Sequence, residues 1–490
     1  MVNLLLRGVG MAFQAYLSGR IGADGIGLLQ LTGTVNAFAM TLGLSGVRVA
    51  VMYLCAEEYG RRNPAGMRRV LLLCLAYGAI VSSAVGIGLF ALAGRIAEGW
   101  MHAPALAGAV RVSALTLPLS CACAILAGYY TASDQVRTLV RIEVLERFVS
   151  LGVTFAFLLL WAGNDTPRAC ISIALGGALA GALTVFLLLR RFFRSSADLP
   201  ASAGPLPTAA RLIRLCIPLA LNDYLRSGLS TLEHFLIPWG LARSGRSQTE
   251  SMAAYGTIHG MVFPVLMFPA ALLYSMADLL IPALARLRAR GDQLRIYDLT
   301  DRCLRMCLLF AGFTAGLCFV LSDALGLLIY HSAEAGRYLR IFSPMVLILY
   351  MDALVDGMHK GLGQQAVNVR YNTLTSFLDV LLLFLLLPRC GIGAYVFSFV
   401  VTHAVNFCLS LRRLILVTDW GMTLSSCIRS LLCPAAAVLA AMALPAYTPL
   451  AAVFLRAPVF AAVFFLFIRL GALFTDPDRA WLCRTFSFRH

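Results

Sequence analysis

The sequence is short of charge, since Asp, Glu, Lys and Arg make up only 13% of its 490 residues, against about 25% in ordinary soluble domains. This deficit excludes a soluble globular enzyme. The single lysine, Lys360, lies in GMHKGLG, so the chain lacks the GxxxxGK[ST] loop that binds ATP phosphates. The HExxH and GxSxG motifs are missing as well. We therefore predict a protein that is not an enzyme, with no catalytic residues.

Metal-ligand patterns are also missing. No CxxC pair occurs among the 14 cysteines, and the seven histidines are scattered along the chain. Asp352 and Asp356 lie four residues apart and could mimic a catalytic carboxylate pair, but at the end of an apolar run this spacing is more typical of a solvated or ion-paired helix face. We predict no metal site and no cofactor, apart from a coupling cation discussed below.

Apolar residues are abundant, at 60% of the chain. At about 20 apolar residues per bilayer crossing, they predict an all-α polytopic membrane protein with about 14 transmembrane helices. The predicted spans lie near residues 4–21, 28–54, 70–94, 106–130, 142–162, 169–189, 212–240, 253–281, 303–330, 339–362, 373–389, 392–411, 429–447 and 450–470.

A basic stretch containing prolines follows the sixth span and divides the predicted helices into two sets. We predict an N-terminal six-helix lobe, a cytoplasmic linker, a C-terminal six-helix lobe, and two extra transmembrane helices with a cytoplasmic tail. These domains comprise residues 1–189, 190–211, 212–411 and 412–490.

Arginine placement predicts the orientation in the membrane. An even number of spans puts both termini on one side, and the loops of that side contain 27 Lys and Arg residues against 10 on the opposite side. Because Lys and Arg accumulate in cytoplasmic loops, we predict a multi-pass protein of the cytoplasmic membrane with both termini in the cytoplasm. The same asymmetry explains the net charge of +16, so no nucleic-acid partner is predicted.

An internal repeat relates the two predicted lobes. A displacement of 233 residues aligns GYYTASDQVR (128–137) with GLGQQAVNVR (361–370), and it places Glu146 on Asp379. Six spans per lobe would make the lobes parallel repeats about an axis along the membrane normal. This arrangement predicts a substrate cleft between the two halves.

Four segments resemble one known family: LLLRGVGMAFQAYLSGRIGADGIGLLQL, LSGVRVAVMYLCAEE, PAALLYSMADLLIPALA, and GLGQQ followed by LLPRCGIGAYVFS. They are similar to the stage V sporulation protein B family of polysaccharide exporters, within the multidrug/oligosaccharidyl-lipid/polysaccharide exporter superfamily. The likeness runs over nearly the whole chain. It implies a two-lobed, alternating-access flippase related to the lipid II flippases.

Three arginines inside predicted spans are candidates for binding an anionic substrate: Arg7, Arg48 and Arg226. A charge inside the membrane is costly unless it faces water, a partner or a substrate, and a guanidinium matches phosphate oxygens through paired hydrogen bonds. Arg7 could instead snorkel to the headgroups. The resemblance implies a cavity position for it, since RGVG matches the RxxG motif of related flippases.

Four polar residues are candidates for coupling to a cation, Na⁺ or H⁺. Asp379 is the only acid in the eleventh span, with Thr375 one turn before it. Asp223 and Glu233 share the seventh span with Arg226, which is typical either of a hydrated cleft or of a self-neutralised buried pair. The resemblance implies an acid at position 233, usually Asp. The acids of the first repeat and their neighbouring arginine are interpreted as structural: Glu143, Glu146 and Arg147.

These observations predict a flippase for a lipid-linked saccharide with an anionic diphosphate, a precursor of cell wall peptidoglycan or another polysaccharide. Its partners would be this lipid and the membrane lipids. A cation-coupled multidrug antiporter is the alternative within the superfamily, and the two helices outside the repeat argue against it. A non-transporting membrane protein of sporulation or the cell envelope stays open. A membrane-embedded glycosyltransferase would need a large outer loop, and the predicted spans leave only short outer loops between them.

Overall fold

The structure is a computed structural model and describes residues 2–44, 46–61, 63–195, 209–421, 424–445 and 447–471. Helices make up nearly all of this part of the chain, which contains no strand, so the predicted all-α class is confirmed. The helices are α1 Val2–Leu44, α2 Val47–Gly60, α3 Pro64–Gly99, α4 Ala107–Ala132, α5 Val136–Phe157, α6 Thr166–Ser195, α7 Ala209–Arg243, α8 Gln248–Gly256, α9 Phe263–Met267, α10 Ala270–Ala289, α11 Gln293–Val320, α12 Ser322–Tyr330, α13 Ala333–Phe342, α14 Val346–Gly361, α15 Gln365–Cys390, α16 Ile392–Thr418, α17 Leu424–Met442, α18 Pro449–Ala451 and α19 Ala457–Leu470.

Eleven helical segments in the described residues are long and apolar enough to cross a membrane. The predicted spans lie on these helices, although several run from one helix into the next, as the second does from α1 into α2 and the eighth from α8 into α10. Three features explain the smaller number. α1 runs through the first predicted span into the second and counts once. α7 has 35 residues but carries Asp223, Arg226 and Glu233 near its centre. In α17, only Ile428–Met442 qualifies, as a shorter apolar helix.

The helices form two compact units. The N-terminal unit comprises Asp24–Trp239, and the C-terminal unit comprises Met1–Ala23 with Gly240–His490. The sequence instead divides the chain at the linker, which would place the first half of α1 in the first lobe and α7 in the second. The predicted lobes are defined by the sequence repeat, whereas the two units are defined by the contacts between helices. That the two lobes are structural repeats stays a prediction.

The contacts of α7 explain its place in the N-terminal unit. Arg211 at its start forms an ion pair with Glu57 of α2, with 2.6 Å between Nη2 and Oε2. Further along, the Tyr224 hydroxyl donates a hydrogen bond to the Leu42 carbonyl at 3.1 Å. The backbone also comes close at Gly46, where an added Cβ would lie 2.8 Å from the Cys216 carbonyl oxygen. Glycine at position 46 therefore permits the approach of α7.

α1 is broken at Gly22, close to the boundary between the units. The φ of 71° and ψ of 178° at this residue are far from helical values. That region of backbone space is in practice open only to glycine. The break separates the helix that contains the first predicted span from the helix that begins the second.

We expect Gly22→Ala to lower the midpoint of thermal unfolding of the purified protein in detergent, because a side chain in this conformation costs about 1–3 kcal/mol. Gly19→Ala is the matched control, since Gly19 lies in the same helix with open space around its Cα. Alanine there should leave the midpoint unchanged or raise it, because glycine inside a helix costs about 0.5–1 kcal/mol relative to alanine. Equal midpoints for the two variants would contradict the glycine-only conformation.

The C-terminal helix pair packs on α11 within the C-terminal unit. An added Cβ at Gly312 would come within 3.1 Å of Pro434 in α17, and one at Gly316 within 2.6 Å of Phe460 in α19. Small residues that let helices approach closely are typical of helix packing in membranes. The extra pair predicted from the sequence is thus part of the C-terminal unit through its contact with α11.

Candidate functional site

A seam of polar side chains runs between α14, α15 and α16 in the C-terminal unit. Each helix contributes residues spaced four or seven positions apart, which is the spacing of one helix face. Most of these polar side chains are buried. They are unusual because all three helices belong to segments that are apolar enough to cross a membrane. This polar seam consists of Asp352 and Asp356 from α14, Asn368, Thr375 and Asp379 from α15, and Ser398, Thr402, Asn406 and Ser410 from α16.

Asp379 occupies the middle of α15 and is 8% exposed. Its Oδ1 accepts a hydrogen bond from Ser398 Oγ at 2.7 Å and lies 3.2 Å from Thr402 Oγ1, whose one proton it shares with the Ser398 carbonyl oxygen at 2.8 Å. Both donors lie on α16, one turn apart. A carboxylate at this depth in a membrane is costly without polar partners, so the two hydroxyls stabilise it and fix its position.

A second carboxylate, Asp352, is connected to α15 through an amide. Asn406 Nδ2 donates to Asp352 Oδ2 at 3.0 Å. The Thr375 hydroxyl lies 3.4 Å from Asn406 Oδ1, and the carbonyl oxygens of Tyr371 and Asn372, at 3.0 and 3.2 Å, compete for its one proton. The predicted candidate Thr375 therefore stands one turn from Asp379 and beside the group that bonds to Asp352.

The seam ends where α14 stops and α15 begins. Asp356 forms an ion pair with Lys360 at 2.6 Å and accepts a hydrogen bond from Asn368 Nδ2. Asn368 in turn accepts one from Ser410 Oγ at 3.4 Å. The interpretation of an ion-paired helix face thus applies to Asp356. It does not apply to Asp352, which bonds to a buried amide instead.

The seam offers carboxylate, hydroxyl and amide oxygens, which are the ligands that hard cations prefer. Of its three carboxylates, Asp356 is paired with Lys360, whereas Asp352 and Asp379 are the ones that a proton could bind instead of a cation. In the part of the chain that the structure describes, no group of three His, Cys, Asp or Glu side chains could hold a metal ion. A cation bound here would therefore need the neutral hydroxyl and amide oxygens to complete its coordination.

Glu146 of α5, the repeat counterpart of Asp379, makes the same kind of contact in the N-terminal unit. Its Oε2 accepts a hydrogen bond from Thr184 Oγ1 of α6 at 3.2 Å. In both units, an acid on one helix is therefore bonded by a hydroxyl of the next helix. Arg147 interacts electrostatically with Glu143, as the sequence predicts for residues four apart.

Of the three arginines predicted to bind substrate, Arg7 contacts both a backbone carbonyl and an aromatic ring. Its Nη1 donates to the Met267 carbonyl at 3.4 Å, where the helix ends ahead of the break at Pro269. Its guanidinium lies over the ring of Tyr274, 5.4 Å from the centroid. Arg7 is nevertheless exposed, so part of the guanidinium is accessible.

Arg48 and Arg226 are exposed side chains on α2 and α7. Arg48 interacts electrostatically with Glu143 of α5. No ion pair joins Arg226 to Asp223, which is also exposed, so the interpretation as a self-neutralised buried pair does not apply to these two residues. Within the described residues, neither guanidinium has a carboxylate oxygen within 4 Å.

The predicted coupling residues are divided between the two units. Asp379 and Thr375 belong to the polar seam, whereas Asp223 and Glu233 lie on α7 of the N-terminal unit. Glu233 is half-buried and Asp223 is exposed. Within the C-terminal unit, the structure therefore brings Asp379 and Thr375 together in one seam.

Comparison with known proteins gives two relatives, while no protein-family model matches the chain. Stage V sporulation protein B of Bacillus subtilis (strain 168) is 21% identical over 404 residues, which cover 80% of this chain and 77% of that protein. The chain is a homologue of stage V sporulation protein B. Sporulation protein YkvU of the same strain is 21% identical over 254 residues, which cover 49% of this chain and 56% of that protein.

Solved structures of two transporters share the fold. The lipid II flippase MurJ in an inward closed conformation aligns with a TM-score of 0.73 and 10% identity, over 96% of this chain and 97% of that chain. A multidrug resistance MATE family transporter of the MOP superfamily, in an inward-facing conformation, aligns with a TM-score of 0.66 and 11% identity, over 86% of this chain and 96% of that chain. The chain is thus a multi-pass membrane protein of the MurJ and MATE fold.

The partners of Asp379 on α16 were not predicted. A signal for them exists, because Ser398, Thr402, Asn406 and Ser410 recur every four residues in an otherwise apolar span. Such a stripe shows that one face of the helix is polar. It does not show which neighbouring helix that face contacts, and this is what the structure adds.

Proposed function

We propose that this chain is a flippase that moves a lipid-linked saccharide, such as a lipid II-like cell-wall precursor, from the cytoplasmic to the outer leaflet by alternating access. The observation that supports it most is the polar seam. Buried carboxylates in membrane-spanning helices are costly and mark ion or substrate pathways. The homology to stage V sporulation protein B and the fold shared with MurJ agree with this proposal.

The substrate in this proposal carries an anionic diphosphate, which exposed guanidiniums would bind. Arg7, Arg48 and Arg226 lie on α1, α2 and α7, inside spans predicted from the sequence, and all three are exposed. Guanidinium groups form paired, charge-assisted hydrogen bonds with phosphate oxygens. A small cationic drug would be repelled by the same three charges.

The energy source in this proposal is a gradient of Na⁺ or H⁺, or the membrane potential, rather than ATP. Asp379 would bind the coupling ion with help from the hydroxyls of Ser398 and Thr402. Thr375 and Asp352 stand next to it through Asn406. Binding of a positive ion would remove the cost of keeping this carboxylate ionised in the membrane, which links occupancy of the site to the conformation that the protein favours.

The C-terminal helix pair favours a lipid-linked substrate. The MurJ structure accounts for nearly the whole chain, whereas the MATE structure leaves a larger part uncovered. α17 and α19 pack closely on α11 and so belong to the folded C-terminal unit. In a flippase, additional helices would provide surface for the lipid tail. A cation-coupled drug antiporter is the second candidate, because MATE transporters share the fold.

Purified protein in liposomes separates these candidates. One set of vesicles contains a fluorescent lipid-linked saccharide, and a second set is loaded with a cationic dye. The proposal expects protein-dependent movement of the lipid-linked headgroup and no dye exchange under an imposed Na⁺ or H⁺ gradient. Dye exchange without headgroup movement would establish the antiporter instead. Activity in neither assay would favour a non-transporting role in sporulation or the envelope.

The proposed orientation makes a prediction for a native cysteine. Cys390 ends α15 and is exposed, and this end of α15 faces outward if both termini are cytoplasmic. We expect a membrane-impermeant maleimide to label the protein in intact cells, and Cys390→Ser to remove that labelling. Labelling of Cys390 only after the cells are permeabilised would reverse the topology.

A further inference from the structure

A cavity of about 660 Å³ opens between the start of α5 and the end of α6 in the N-terminal unit. These two helix ends adjoin because α5 and α6 are antiparallel neighbours joined by a short connection at the opposite end. In the proposed topology, the cavity is on the cytoplasmic side. The proposed flippase function does not involve the residues of this cavity.

Four arginines line this cavity. Arg141 comes from α5, and Arg190, Arg191 and Arg194 come from one face of α6. Arg191 Nε lies 3.5 Å from the amide oxygen of Gln135. The other three have no carboxylate oxygen within 4 Å anywhere in the described residues. Positive charges that converge on one concave surface without neutralisation focus the potential and attract anions.

The cavity also has a hydroxyl and an apolar part. Thr138 lines it from α5, close to Arg141. Ile142 lies directly after Arg141 on α5, and Leu187 lies one turn before Arg190 and Arg191 on α6, so both are nearer the middle of their helices than the arginines. The cavity thus combines a cationic outer part with an apolar inner part. This combination fits a phosphate group that is joined to a hydrocarbon chain.

Two general tendencies place arginines at such helix ends. Cations favour the C-terminus of a helix, and Lys and Arg accumulate in cytoplasmic loops. Both tendencies explain the number of arginines, but neither explains why arginines of two helices line one cavity together with a hydroxyl. α10 shows the simpler case, since Arg286 and Arg290 lie in and just after its last turn on that helix alone.

We propose that the α5–α6 cavity is a binding site for a phosphate group, held by charge-assisted hydrogen bonds from its arginines. An anionic phospholipid of the surrounding membrane is the source that fits the apolar part, and a free phosphate or diphosphate offers the same chemistry. The site is separate from the proposed flipping substrate. It would exist whether or not the chain transports a lipid-linked saccharide.

Thermal unfolding of the full-length protein in detergent tests this site. The midpoint is followed against the concentration of dihexanoyl phosphatidylglycerol, dihexanoyl phosphatidylcholine or inorganic diphosphate, because a ligand that binds the folded state raises it. We expect phosphatidylglycerol to act at lower concentration than phosphatidylcholine. Arg190→Gln/Arg194→Gln should require roughly tenfold more phosphatidylglycerol for the same rise, as expected when charge-assisted contacts are lost.

Arg286→Gln/Arg290→Gln is the matched control, since it removes the same charge from the end of α10 and should respond like the unaltered protein. Arg141→Gln tests the site from the other helix if the first double variant does not purify. A diphosphate response as strong as that of phosphatidylglycerol, and dependent on the cavity arginines, would support the site with free phosphate as its source. Phosphatidylcholine as effective as phosphatidylglycerol, or equal responses of the two double variants, would overturn it.

Discussion

Asp379→Asn is expected to uncouple transport from the cation or proton gradient while leaving the protein folded. Asparagine keeps the size of the side chain and an oxygen that can accept hydrogen bonds from Ser398 and Thr402. It removes the negative charge that a coupling cation or proton needs. The measurement is the rate of headgroup movement in liposomes with and without an imposed Na⁺ or H⁺ gradient, which should no longer differ in the variant.

Glu146→Gln is the control for this result. Glu146 is the repeat counterpart of Asp379 and likewise accepts a hydrogen bond from a hydroxyl of the next helix, that of Thr184. Its neutral variant should keep the dependence on the gradient. If Asp379→Asn retains unchanged ion and pH dependence, Asp379 has no part in coupling, and Glu233 and Asp223 of α7 become the candidates.

Arg48→Ala is expected to slow flipping by roughly ten- to a hundredfold. A hydrogen bond to a charged group contributes about 1.5–3 kcal/mol, and about 1.4 kcal/mol corresponds to a factor of ten in binding. Expression and the unfolding midpoint should change little, because the side chain is exposed. Arg7→Ala should slow flipping as well, with an added loss of stability, since Arg7 also contacts the Met267 carbonyl and the Tyr274 ring.

Two controls distinguish substrate binding by Arg48 from a structural role. Arg168→Ala removes an exposed arginine that already pairs with Asp165 at 3.2 Å, and it should flip at the normal rate. Glu143→Gln removes the acid that interacts with Arg48. If that interaction were the purpose of Arg48, Glu143→Gln would slow flipping equally. Normal rates in both Arg48→Ala and Arg7→Ala would show that the substrate assignment is wrong.

Much of the fold follows from the sequence because helix formation in a membrane is a local property. An apolar run long enough to cross the bilayer must satisfy its backbone hydrogen bonds internally, and a helix does so. The predicted spans accordingly lie on helices, although several of them cross a break between two helices. The predicted bounds leave residues 22–27 between the first two spans, and Gly22 provides a break there with its positive φ.

The arrangement of the helices could not be predicted in the same way. Nothing in the composition of α7 indicates that it joins the N-terminal unit, because this depends on individual contacts such as Arg211 with Glu57. The same holds for the polar seam. Asp379 stands out as an intramembrane acid, but its hydroxyl partners and the link from Asn406 to Asp352 depend on which helix faces meet.

The rate of headgroup movement in liposomes tests the central claim most directly. A lipid-linked saccharide with a fluorescent headgroup is placed in vesicles containing the purified protein, and an impermeant quencher is added outside. Our account predicts that the protein makes the inner-leaflet pool accessible to the quencher, and that Arg48→Ala slows this by roughly ten- to a hundredfold. Quenching confined to the outer-leaflet pool, as in vesicles without protein, would contradict it.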